Sequence, residues 1–223
     1  MQLKPYIELL NFVDDNGVET PPSSERTGTG CKSVFGQMMK FDLAQGFPLL
    51  GWKKTYFKGV VAELLWFLRG NTNVKELQGQ NVHIWDEWAD KNGDLGPVYG
   101  AMWRNWQGID QIKILIENLL TDPHSRRHVV SGWNPALLPD PSIPPHKNVS
   151  KGLQALPPCH TLWQVHVDAN NKMHLTMYQR SADLFLGVPF NIASYSLLLM
   201  MLAHRTGKDL GTFTWMGGDC HIY

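Results

Sequence analysis

The sequence is short of cysteine, of net charge and of long apolar runs, and each shortage excludes something. Its 223 residues hold three cysteines, Cys31, Cys159 and Cys220, with no C-x-x-C spacing. That argues against a disulfide framework and against structural zinc, while free thiols suit a reducing compartment. Basic and acidic side chains number 20 each. A balanced chain is not built as a nucleic-acid coat or a membrane-surface binder, so an anionic ligand has to be held by a few placed cations. The longest apolar run, Leu197 to Ala203, is too short to cross a bilayer, and Met1 to Pro5 opens no signal-peptide core. P-loop, G-x-G-x-x-G and H-E-x-x-H motifs are all missing. These absences together lead us to expect a soluble cytoplasmic protein.

What is present is enough apolar chain for a sizeable core: 43% hydrophobic residues against 18% charged. Residues 4–13 carry a helical apolar pattern through Tyr6, Leu9, Leu10 and Val13. Val18 to Arg26 reads as loop, followed by the polar turn Arg26-Thr27-Gly28-Thr29-Gly30 and a strand-like Ser33 to Gly36. Gly59 to Leu68 reads as a buried helix with Glu63 embedded in it. Ile109 to Leu120 is the clearest amphipathic helix, with a stripe of Ile109, Ile112, Ile116 and Leu119 or Leu120, stopped at Asp122-Pro123. Trp163, Val165 and Val167 alternate with polar neighbours, as do Met173, Leu175 and Met177, and the turn 169–172 between them signals a hairpin. Asn191 to His204 returns to helix. Seven of the fourteen prolines fall between Asn134 and Pro158, which reads as one long loop. The interleaving of helices and strands implies α/β or α+β in one domain.

Several residues carry chemistry. Cys159, at the end of the proline-rich stretch and just before a strand, is placed for nucleophilic attack; the plainer reading is a buried structural thiol. His160 is adjacent, but neighbours on a strand point to opposite faces. In Tyr178-Gln179-Arg180-Ser181-Ala182-Asp183, Arg180 and Ser181 suit a phosphate, and Asp183 suits a ring N–H or an amino group. Arg26 and the pair Arg126-Arg127 are further phosphate candidates, although adjacent arginines are often just solvated surface. Glu63 sits among apolar neighbours, so it is either paired with a core arginine or functional. Burial would raise its pKa towards neutrality. Trp85 and Trp88 could wall a flat heterocycle or simply pack. Asn191 could read a base edge or cap a helix.

Taken together, the motifs resemble the thymidylate synthase family. They run in family order: Arg26-Thr27-Gly28-Thr29-Gly30, Ala62 to Leu68, Ile84-Trp85-Asp86-Glu87-Trp88, Gly93 to Gly100, Ser125-Arg126-Arg127, Leu156 to His160, Tyr178 to Ser181, Asp183 to Tyr195 and Gly217 to Tyr223. The resemblance implies an α+β fold, one domain over 1–223, with a mixed sheet packed by helices and placed at a dimer interface. It also implies methylation of dUMP to dTMP by 5,10-methylenetetrahydrofolate, with no metal. Cys159 would add to C6 of the uracil. Glu63, Tyr99, Asn191 and Asp183 would assist. Arg26, Arg180 and Ser181 would bind the phosphate, joined by Arg126 and Arg127 from the other subunit of a homodimer. His160 and Gln179 would belong to the nucleotide site, and His221 and Tyr223 to the ribose. Ile84, Trp85, Trp88, Leu186, Gly187 and Phe190 would line the folate pocket, with Asp183 on the pterin. Asn191 would select uracil over cytosine.

The chain departs from the family's pattern in three places. Gly51 to Tyr56 lacks the usual Thr-Thr-Lys, the loop before Cys159 is about a dozen residues longer than in short members, and members usually continue for several dozen residues past the position of Tyr223. The last departure leads us to expect that the segment closing over the cofactor is missing. Three other readings compete with the resemblance. A dUMP hydroxymethylase of the same fold would let water attack the exocyclic methylene; Trp85, as a shield for that methylene, favours the methyl product. A catalytically impaired nucleotide-binding remnant would bind without turnover. A papain-like hydrolase fails because its cysteine sits at a helix start.

Overall fold

The computed structural model describes residues 3–21, 28–51 and 53–223. The chain forms two compact units, Met1–Tyr56 with Trp163–Tyr223, and Phe57–Leu162. In chain order the elements are α1 (Lys4–Asn16), β1 (Val18–Thr20), β2 (Cys31–Asp42), α2 (Phe57–Leu68), α3 (Lys75–Gln78), α4 (Tyr99–Arg104), α5 (Gln111–Thr121), β3 (Val129–Ser131), α6 (Pro145–Ser150), β4 (His160–Val167), β5 (Lys172–Asp183), α7 (Val188–Thr206) and β6 (Asp209–Ile222). The strands follow one another in the order β1-β2-β6-β5-β4-β3. The sheet is mixed: β6 lies antiparallel to β2 and parallel to β5. The fold is α+β, as the motifs led us to expect.

Alternation along the strands sorts the first unit into a core face and an open face. Phe41, Phe213 and Leu175 align across β2, β6 and β5, and so do Met39, Trp215 and Met177; all six are buried. On the other face Met216 aligns with Met38 and Tyr178, and both methionines are exposed. Helix α7 packs against β5 and β6. It is apolar on several sides, as a core helix must be. Pro189 opens it, and Gly207, with φ 67°, closes it in a left-handed cap whose N–H reaches the carbonyls of Ala203 and His204. The turn after β5 is fixed by Asp183, whose Oδ1 accepts from the N–H groups of Phe185 (3.0 Å) and Leu186 (2.8 Å). Gly217 is needed in β6 because a Cβ there would fall 2.2 Å from the Trp215 ring and 2.4 Å from Cys220 Sγ.

The second unit is organised around aromatic rings. Phe67 packs with its centroid 5.0 Å from Tyr99 and 5.5 Å from Trp103, and Trp66 lies 6.0 Å from Trp85. Helices α2 and α4 approach closely because Gly100 has no side chain; a Cβ would sit 2.7 Å from the Phe67 carbonyl oxygen. Asp110 caps α5 by accepting from Lys113 N–H at 2.9 Å, and it pairs with Arg104 through Nη2 at 2.8 Å. Gln111 ties α5 to β3, accepting from Ser131 N–H at 3.0 Å and donating to Ser131 O at 2.8 Å. The proline-rich stretch is anchored rather than loose. Gln154 donates to Pro97 O at 3.0 Å and Ala155 N–H to Leu95 O at 2.9 Å.

Several local expectations need correction. Val18 to Thr20 is a strand paired with β2, not loop. The stretch 134–158 contains the helix α6, because paired prolines suit a helix start. Helix α5 begins at Gln111 behind its Asp110 cap, so Ile109 lies outside it and is 52% exposed. Its buried stripe is Ile112, Leu115 and Leu119, and Leu120 faces out. The hairpin alternation of β4 and β5 matches the burial of Trp163, Val165, Val167, Met173, Leu175 and Met177.

Candidate active site

Five of the expected site residues, Glu63, Trp85, Tyr99, Cys159 and His160, meet in the second unit. Glu63 projects from α2, and the indole N–H of Trp85 donates to its Oε1 at 2.7 Å. Burial of the carboxyl pushes its pKa up to about 7, and the Trp85 bond offsets only part of that. Glu63 therefore sits half-ionised near neutral pH, where a carboxyl relays protons best. Tyr99 opens α4. Its hydroxyl accepts the backbone N–H of Cys159 at 2.8 Å, and its ring stacks on His160 with centroids 4.3 Å apart. A phenol hydroxyl can both accept and donate. Cys159 is half-buried at the mouth of β4. His160 is buried, and burial pulls its pKa down to about 3. At neutral pH its ring is uncharged, so it supplies no cation to the neighbouring sulfur. Trp85 packs inward, Trp88 is half-buried and Ile84 is 49% exposed. Arg126 and Arg127 stand exposed on the turn between α5 and β3.

The first unit holds the remaining candidates. Arg180 and Ser181 lie half-buried on β5, and Asn191 lies on the first turn of α7. The Asn191 amide makes no side-chain hydrogen bond to a described residue, so both its donor and its acceptor are available. Gln179 is different. It is buried, accepting from the Trp215 indole at 3.0 Å and donating to Ser181 O at 3.1 Å. That amide holds β5 and β6 together. His221 is buried with Nδ1 2.7 Å from Asp219 Oδ1, and the exposed Tyr223 meets its ring edge-on at 5.2 Å. A cleft of about 530 Å³ is lined by Leu10, Asp14, Asp183, Leu186 and Tyr223, among others. It joins a carboxylate to exposed apolar surface, and Gly187 and Phe190 follow directly along the chain. Cys220 is buried, with its thiol pushed up to about 12 by burial and by Asp219, so it is inert beside Cys159. Arg26 lies outside the described residues. Among the described residues no group of acidic, histidine or cysteine side chains is placed to hold a metal ion, and no helix is long and apolar enough to cross a membrane.

A model of the family described as thymidylate synthase matches residues 4–223. The chain belongs to the thymidylate synthase family. A thymidylate synthase of Francisella philomiragia subsp. philomiragia is 54% identical over 99% of this chain and 80% of its own length. A thymidylate synthase of Francisella tularensis subsp. holarctica is 53% identical over the same shares.

Several partners of the site residues were missed by the sequence reading. Glu63 is matched by an indole and not by a core arginine. The three-residue spacing of Trp85 and Trp88 suggested a wall, and only burial reveals that Trp85 turns inward to the carboxyl. Nothing in the sequence pairs Cys159 with Tyr99, since sixty positions separate them. Asp219 was quoted only as part of a motif, yet it orients the His221 ring.

Proposed function

We propose that this protein converts dUMP to dTMP with 5,10-methylenetetrahydrofolate as co-substrate, and that the sulfur of Cys159 carries the base through the reaction. The observation that supports this best is the cluster of Glu63, Trp85, Tyr99 and Cys159. A carboxyl tuned to neutrality stands with the phenol that fixes the cysteine's backbone. Addition of the Cys159 thiolate to C6 of uracil sends negative charge to C5 and O4. The Asn191 amide donates to O4 and accepts from N3–H, a pattern cytosine reverses. Glu63, working through water, shares in stabilising O4, and Tyr99 helps remove the C5 proton. Arg26, Arg180 and Ser181 hold the phosphate, His160 and Gln179 complete the nucleotide site, and His221 and Tyr223 take the ribose 3′-hydroxyl. Ile84, Trp85, Trp88, Leu186, Gly187 and Phe190 serve the reduced folate, with Asp183 on its pterin ring. A flat heterocycle with N–H groups on its edge fits a cleft that pairs a carboxylate with apolar surface. When bound, the folate supplies the one-carbon unit and a hydride. We place the enzyme in the cytoplasm.

The test is a product assay with dUMP and with dCMP. Equal amounts of dTMP and dihydrofolate from dUMP, and nothing from dCMP, are expected. Formation of 5-hydroxymethyl-dUMP with tetrahydrofolate would replace this reading with a hydroxymethylase. Binding of dUMP without tritium release from its C5-labelled form would make the protein a non-catalytic binder.

The same reading makes the protein a homodimer. It joins through the open sheet face that carries Met38, Met216 and Tyr178, and the partner subunit's Arg126 and Arg127 reach the phosphate. Exposed methionines aligned on a broad strand face support this. Mixing two proteins that are both inactive at low dUMP checks it. Cys159→Ala and the double variant Arg126→Ala/Arg127→Ala, denatured and refolded together in equal amounts, should recover about a quarter of the wild-type sites, because half the dimers are mixed and each has one intact site. No recovery would show that each subunit supplies its own arginines.

A further inference from the structure

His128 follows directly after the two arginines, and it points the opposite way. Its side chain is buried, 1% exposed, on the turn between α5 and β3. Nε2 lies 3.1 Å from the Asp122 carbonyl oxygen and 3.2 Å from that of Pro123. Carbonyls only accept, so Nε2 carries the hydrogen and is shared between them. Nδ1 is buried with no partner among the described residues. A histidine kept in the core for two backbone carbonyls, with its other nitrogen unmatched, is costly as mere filling, since an apolar side chain would leave no nitrogen unmatched.

The surrounding bonds show what the ring holds. The Asp122 carbonyl also accepts Ser125 N–H at 3.2 Å, and Ser125 Oγ accepts Arg127 N–H at 3.4 Å. Val129 N–H donates to Arg127 O at 2.8 Å, and Asp122 N–H to Asn118 O at 2.7 Å. His128 thus ties the exit of α5 to the entry of β3 from beneath, and Gln111 secures β3 at Ser131. Two exposed arginines stand on the arch between these ties, beside the exposed His124 and the half-buried Ser125.

We propose that His128 is a positioning residue for the Arg126–Arg127 pair: it fixes the arch so that both guanidinium groups are presented, already ordered, to an anionic phosphate. This rests on the reading that the pair binds the nucleotide phosphate of the partner subunit. Long arginine side chains on a loose arch must be ordered when the ligand binds, and that lowers affinity without touching the chemical step.

Steady-state kinetics of the dimeric enzyme test this. His128→Leu should raise the KM for dUMP about tenfold while leaving kcat at saturating dUMP within about twofold. His128→Gln, whose amide nitrogen falls where Nε2 was, should restore the wild-type KM. His128→Asn, whose amide nitrogen falls where Nδ1 was, should not. Val130→Ala, a cavity in the adjacent buried strand, should lower the melting temperature and leave KM alone. In an Arg126→Ala/Arg127→Ala background, His128→Leu should add nothing further. An unchanged KM in His128→Leu, equal behaviour of the Gln and Asn variants, or a full additional rise in the arginine-less background each overturns the proposal while the phosphate reading stands. If the arginine double variant itself leaves KM unchanged, the phosphate reading fails and this proposal goes with it. Should His128→Leu not fold, the comparison of Gln with Asn decides alone.

Discussion

Replacing Cys159 by alanine should abolish dTMP formation, by on the order of 10⁴-fold or more, while dUMP still binds within about tenfold of wild type. The asymmetry follows from the division of labour. In the proposed function, affinity comes from cations at the phosphate and from the Asn191 amide, none of which depends on the sulfur. In the proposed function, turnover needs a bond from sulfur to C6, because that bond makes C5 a nucleophile. The backbone N–H that Cys159 gives to Tyr99 is retained by alanine, so the local fold survives. Isothermal titration with dUMP, beside a tritium-release assay, reads both quantities. Residual turnover within about tenfold of wild type would remove the covalent step. Loss of binding together with turnover would mean that the side chain is structural.

Glu63→Gln should cost about 10²- to 10³-fold in turnover and, unusually, stabilise the fold at high pH. Glutamine keeps an oxygen to accept the Trp85 indole but carries no charge to bury. The sign follows from linkage. Burial raises the folded-state pKa from 4.5 to about 7. Below pH 4.5 the carboxyl is protonated in both states and contributes nothing to the pH dependence. From there to pH 7 the unfolded chain releases its proton first, so stability falls as pH rises. Above 7 the full cost is present, about 3 kcal/mol. Melting curves at pH 5 and pH 8 should show Glu63→Gln close to wild type at the lower pH and several degrees above it at the higher. An equal difference at both values would show that the fold leaves the Glu63 pKa at its ordinary value. A destabilised fold paired with a faster enzyme would remove it from catalysis.

These two predictions also mark what a sequence can carry. Periodicity located α1, α2, α5, α7 and the β4–β5 pair, because each buries one face or, for α7, nearly all of its surface. It missed β6, whose glycines at 211, 217 and 218 break the strand signal. They are there because neighbouring backbone and rings come too close for a side chain. It missed α4 and α6, which are too short for a helical period to show. It placed Ile112 and Leu119 of the α5 stripe correctly but began the stripe at Ile109 and took Ile116 for Leu115, because Asp110 was not recognised as the cap. Cys159, Glu63, Asn191 and the arginines could be singled out as candidates by residue type and neighbourhood, and the family's motif order drew them into one site. Their partners were not legible. The Trp85 indole, the Tyr99 hydroxyl and the carbonyls that hold His128 are matched through space, and residue types alone do not encode that matching. His160 is the sharpest case. Beside a candidate nucleophile it invites a catalytic pairing, yet burial leaves it uncharged, stacked on Tyr99.

Covalent addition of the Cys159 sulfur to the nucleotide ring is the step on which the mechanism stands. Fluorine at C5 cannot be removed as the proton is, so 5-fluoro-dUMP with the methylene folate should halt the enzyme with the sulfur attached. Intact-protein and peptide mass spectrometry should then find one nucleotide–folate adduct per subunit, on the peptide containing Cys159 and absent from Cys159→Ala. An unmodified protein that still makes dTMP from dUMP, or an adduct carried on Cys31, would mean that the chemistry runs by another route.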